Sequence, residues 1–167
     1  MKRKVLLGLV LFVIGMCLAV SSVPAGGKAT KTEVIGLIQP PIIWHQFGET
    51  WTNGPIHHVR GRLVEWDIVA SDDRFSGALF DEFNSNQDTR TFYNDGRIWG
   101  KLWIEQDGVR VWEGSWNGEV LDSIQQGRAI LHGVGIYKGL KAKMNFIQRP
   151  GEYIIDFDAI ILNPKGD

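Results

Sequence analysis

Beyond Pro55 the chain runs in short stretches rich in Val, Ile, Phe, Tyr and Trp, punctuated by Gly, Asn and Asp. That texture, with alternating apolar positions, belongs to β-strands, whose successive side chains point to opposite faces. Stretches at 57–70, 74–84, 127–133, 140–148 and 153–162 read as strands, and no run sustains three turns at a 3.6-residue period. The clearest element is a hairpin. Asp107-Gly108 is a favoured two-residue turn of the kind that needs positive φ, with alternating apolar runs on both sides. Placing it at the turn pairs Gln106 with Val109, so that paired residue numbers sum to 215 along the ladder. This register sets Trp103 opposite Trp112, Trp99 opposite Trp116 and Glu105 opposite Arg110 on one face. The other face receives Ile104 with Val111, Leu102 with Glu113 and Gly100 with Ser115.

Seven or eight antiparallel strands in one short domain make an all-β sandwich or barrel. The reading preferred is an antiparallel eight-stranded β-barrel, calycin-like in shape. Tyr153 to Leu162 is apolar almost throughout, and closure removes the edges that such a strand would expose. The barrel domain is expected over residues 56–167. Residues 26–33 are small and polar, and Val34 to Pro55 is apolar but broken by Pro40-Pro41 and Gly48, so 26–55 reads as a flexible and irregular N-terminal segment.

Ahead of it, Lys2, Arg3 and Lys4 precede an apolar run from Val5 to Val20 and a small-residue site at Val23-Pro24-Ala25. That is the form of a secretory signal peptide over residues 1–25, cleaved after Ala25, and it predicts a secreted, periplasmic or envelope protein. Removing it changes the charge: of 18 basic residues 15 remain, against 19 acidic ones, so no polyanion or nucleic-acid partner is implied. It also removes the only cysteine, Cys17, and with it disulfides, thiolate catalysis and Cys-based metal sites. The histidines His45, His57, His58 and His132 match no ligand spacing, so no metal is expected.

The run Ala129-Ile-Leu-His-Gly-Val-Gly-Ile-Tyr-Lys-Gly139 resembles the Gly-rich strand-turn-strand signature of the allene oxide cyclase and dirigent barrel superfamily. Gly133 and Gly135 allow a tight bend, and Gly139 permits positive φ before the next strand. The resemblance covers eleven residues closely and 57–162 loosely. It implies an eight-stranded barrel, often trimeric, that holds a hydrophobic small molecule without cofactor or metal. No catalytic residue carries over, since the plant cyclase's polar set includes a Cys that the mature chain lacks.

Among site candidates, Glu113 comes first. The derived register puts it on the face of Leu102, Ile104 and Val111, where it would be a carboxylate in apolar surroundings suited to proton transfer or to anchoring a ligand hydroxyl. The plainer alternative is a solvent face and a structural Arg partner. Tyr137 and His132 sit at the Gly-rich corner, within reach of a barrel mouth or simply packed there. Trp99, Trp103, Trp112 and Trp116 would form a cross-strand ladder, read as an interface in preference to a pocket because Arg97, Lys101, Glu105 and Arg110 share their face. Asp156 and Asp158 share one face of the last strand, as an acid–base pair or a solvated surface. The function expected is binding of a hydrophobic small molecule. The alternatives are a cofactor-free cyclase or isomerase acting in the cavity, and an envelope interaction protein using the tryptophan face.

Overall fold

The structure is a computed structural model, and it describes residues 28–91 and 94–166. The signal sequence expected at 1–25, with Cys17, lies outside the described residues. Nine strands follow in order: β1 (Thr30–Gln46), β2 (Glu49–Asn53), β3 (Ile56–Ala70), β4 (Gly77–Asp88), β5 (Gly96–Gln106), β6 (Val109–Leu121), β7 (Ile124–Gly133), β8 (Lys141–Gln148) and β9 (Ile155–Asn163). All pairings are antiparallel. From β3 to β9 each strand pairs with the next, and β1 pairs with both β9 and β3, closing an eight-stranded barrel with β2 outside it on β3.

The expected fold class is the observed one, but its boundary moves. Residues 30–46, expected to be irregular, form a barrel stave with nine register pairs to β9, from Thr30↔Asn163 to Ile38↔Ile155. The reason is that Val34 and Ile38 supply inward apolar positions, while the interruption at Pro40-Pro41 falls after β1 has left β9. Those prolines sit where no partner strand asks for an N–H on that side.

Alternation sets the interior. Ala142, Met144 and Phe146 of β8 and Ile155, Phe157, Ala159 and Ile161 of β9 are buried, with polar or charged residues largely between them. Glycines allow the close approaches: a Cβ on Gly127 would lie 2.7 Å from the Phe146 ring, and one on Gly133 would strike the Tyr137 backbone. Gly135 and Gly139 adopt positive φ at the corner that follows β7.

One end of the barrel is plugged. Between β3 and β4 a 3-10 turn, Asp73–Phe75, drops Phe75 into the core against Trp112 and Phe157, at ring distances of 5.3 and 5.9 Å. Trp112 Nε1 donates to the Arg74 carbonyl at 2.6 Å, and Gln106 Nε2 donates to the carbonyls of Asp73 and Ser76. Tyr137 completes this end by donating its hydroxyl to Gln106 Oε1 at 3.2 Å.

The hairpin turn is where the sequence puts it, with Asp107 and Gly108 both at positive φ. Gln106↔Val109 and Glu105↔Arg110 also hold, and then the register changes. Ile104 faces Trp112, so Val111 is the extra residue of a β-bulge, and both Val111 and Trp112 are buried. From there pairs sum to 216: Trp103 faces Glu113 and Trp99 faces Asn117. A slip of one residue exchanges the two faces of β6.

Candidate functional site

At the end opposite the plug the barrel holds a cavity of about 280 Å³. Its wall is mainly apolar, with Ile38, Trp66, Leu79, Phe83, Trp116 and Met144 among its lining residues. Arg62, Gln87, Gln125 and Gln148 bring polar groups to it.

The group that distinguishes this cavity is Asp81. Strand β4 turns Leu79, Asp81, Phe83, Ser85 and Gln87 inward at alternate positions, and the Asp81 backbone pairs with Val64 and Leu102. Asp81 is half-buried and lines the cavity wall. Trp116 Nε1 donates to Asp81 Oδ1 at 2.7 Å. Burial pushes the carboxyl up to about 7, with the Trp116 bond opposing that rise and the Glu82 charge adding to it. No ion pair among the described residues reaches it. Asp81 is therefore present in both protonation states near neutrality, able to donate or accept a hydrogen bond in an apolar space.

Arg62 supplies the cavity's cation. It sits between Trp44 and Phe83, each ring centroid 5.6 Å from the guanidinium carbon, and its Nε donates to the Phe47 carbonyl at 3.2 Å. Val64 faces Asp81 and Arg62 faces Phe83, so carboxyl and guanidinium are one step apart along the barrel wall.

The residues expected from the sequence fall elsewhere. Glu113 is on the outside, beside Arg110 at 3.5 Å, because the Val111 bulge reverses its face. His132 is also outside, opposite Glu113. Leu102, Ile104 and Val111 are inside, but as packed core that does not line this cavity. Tyr137 belongs to the plugged end.

The tryptophan ladder is replaced by two separate pairs. Trp112 and Trp116 are buried, so they are not interface residues, whereas Trp99 and Trp103 face outward. Trp103 stacks on Phe80 at 5.2 Å and 4°, lies under Arg110 at 4.4 Å and donates to Glu105 at 2.9 Å. Trp99 lies under Arg60 at 4.9 Å. Asp156 and Asp158 take the plainer role, outside, with Arg149 and Asn145 as partners. Among the described residues no group of three His, Cys, Asp or Glu side chains is placed to hold a metal ion.

Sequence reasoning missed Asp81, although its signal was available. In the strand expected at 74–84, Leu79, Asp81 and Phe83 share one face, which sets a lone carboxylate in an apolar row. Arg62 was legible in the same way, since it shares one row of β3 with Val64, Trp66 and Ile68, all beyond the irregularity between Val59 and Arg62.

Fold and site together define a closed antiparallel barrel with a mainly apolar cavity and one half-buried carboxyl in its wall. Compared with family models, with curated proteins and with solved structures, the chain finds no match in any of the three.

Proposed function

We propose that this protein is an exported barrel that binds a small, largely apolar molecule in the cavity, with Asp81 as its polar anchor. The observation that carries the reading is the cavity itself, about 280 Å³ of mostly apolar space with a single half-buried carboxyl in its wall. Functional pockets start at roughly 300 Å³, so the ligand is at the small end of the range, with one hydroxyl, carbonyl or amine to meet Asp81. The barrel topology and the Gly-rich corner at 129–139 support kinship with the allene oxide cyclase and dirigent superfamily as part of the same proposal.

Native mass spectrometry of protein purified from its own host tests the binding. A retained small molecule is expected, lost when Met144→Trp fills the cavity. Protein that carries nothing, and that binds an apolar fluorescent probe equally well with and without Met144→Trp, would refute the reading. Export is tested separately by N-terminal sequencing, which should begin near Gly26.

One observation favours a second reading, a cofactor-free isomerase or cyclase: Asp81 near pH 7 can both give and take a proton. Asp81→Asn keeps the shape and a hydrogen-bonding group but cannot cycle a proton. In an enzyme it should abolish turnover of the retained molecule while leaving it bound; in a binder only affinity should change.

A further inference from the structure

We propose that β2 is the seam of a two-fold dimer, in which β2 of one copy pairs antiparallel with β2 of a second copy about Trp51. The starting point is an unclosed edge. β1 leaves β9 after Ile38↔Ile155 and continues past Gly48, at φ +69°, into β2. Among the described residues β2 pairs with β3 alone, and all five of its residues are exposed. Barrels remove edges, and exposed strand edges are templates for another chain. The β1 part of this edge is blunted by Pro40 and Pro41, which lack N–H groups. The β2 part, Glu-Thr-Trp-Thr-Asn, carries no proline, no lysine and no bulge against β3.

The open hydrogen-bonding groups can be assigned. Asn53 and Ile56 flank the two-residue Gly54-Pro55 turn, with Gly54 at φ +56°, so the turn's own bond engages that pair. Alternation along an antiparallel ladder then commits Asn53, Trp51 and Glu49 to β3 and points the N–H and C=O of Thr50 and Thr52 away from it.

A second copy fits those groups. Pairing centred on Trp51 sets Thr50 against Thr52 twice, so each open residue meets an open residue. The side chains agree as well, because Glu49 meets Asn53 and no like charges are opposed, while threonine and aromatic pairs are favourable cross-strand neighbours. Trp51 already stacks on His58 at 4.9 Å and lies under Arg60 at 5.3 Å, and it remains 45% exposed. A second Trp51 would continue the row in which Arg60 bridges Trp51 and Trp99. Stable interfaces bury roughly 1,200–2,000 Å², more than a five-residue strand pair offers alone, so the dimer should be weak and concentration-dependent.

Sedimentation velocity and cross-linking of residues 26–167, the expected mature chain, which holds no cysteine of its own, test the seam. A monomer–dimer equilibrium is expected, and Thr50→Pro, which removes an open N–H but no β2–β3 bond, should shift it to monomer. A mixture of Glu49→Cys and Asn53→Cys chains should form a disulfide-linked dimer, since paired Cα atoms at such positions lie about 4.5 Å apart. Glu49→Cys alone should not, because its own copy would be about 13 Å away. A monomer at every concentration would overturn the proposal. So would a dimer indifferent to Thr50→Pro, or Glu49→Cys linking to itself as readily as to Asn53→Cys. Since β2 does not line the cavity, ligand retention should be untouched by these changes, which separates this proposal from the binding reading.

Discussion

Asp81 shows how much a single residue's surroundings decide. Its carboxyl is raised from 3.8 to about 7, so the folded protein holds a proton that the unfolded chain has already released between those values. Stability on this account is fully present below about pH 4, falls as the pH rises towards 7, and levels off above. A shift of this size corresponds to an effect of up to about 4 kcal/mol, less in proportion to the solvent that reaches the half-buried carboxyl. Asp81→Asn should remove that decline, and urea unfolding at pH 4 and pH 8 of both proteins measures it. Parallel pH profiles would mean that the carboxyl is not held in an apolar site. Trp116→Phe removes the bond that favours the ionised form and should move the midpoint of the decline still higher.

At the scale of elements, the β5–β6 hairpin separates what a turn specifies from what a bulge specifies. The turn residues fix the first two pairs, and Val111 alone shifts the rest by one. Trp103 should therefore couple to Phe80, by about 0.5 to 1.5 kcal/mol in a double-mutant cycle with alanine, because the two rings stack. The same cycle for Trp103 and Trp112 should be additive, since the barrel wall lies between them. Coupling between the two tryptophans instead would restore the unbulged register. The 3-10 plug makes a second prediction. Phe75 is fully buried against Trp112 and Phe157, and Phe75→Ala should cost about 3 to 5 kcal/mol in thermal or denaturant unfolding. A loss below about 1 kcal/mol would show that the plug is not part of the core.

For the whole molecule the decisive feature is closure through β1. It is hydrogen-bonded to β9 along one edge and to β3 along the other, so it is the stave that removes both open edges of the sheet. A chain beginning at residue 56 would leave both exposed, and is expected to aggregate or to lack the cooperative unfolding of the longer chain. Expression of residues 26–167 and 56–167 side by side, with circular dichroism and thermal unfolding, checks this. A stable, cooperatively folded 56–167 fragment would return β1 to the status of an appendage.

Strand content, the Asp107-Gly108 turn, the glycines of the corner after β7 and the barrel class are all legible along the chain, because period-2 patterning and positive-φ residues act locally. Seven of the barrel's eight staves, from Ile56–Ala70 to Ile155–Asn163, lie close to where the alternation and the hairpin place them. Which face of each strand lines the cavity is set by how the strands pair on closure. Side-chain direction in a strand depends on parity, and one bulge residue at Val111, or the irregularity between Val59 and Arg62, inverts it for everything beyond. That is why Glu113 moved outside, whereas Arg62 keeps the inward parity of Val64, Trp66 and Ile68. Asp81, in a strand that pairs with β5 without a register shift, was legible in principle. Its raised pKa was not, since it arises from strands that meet only when the barrel closes.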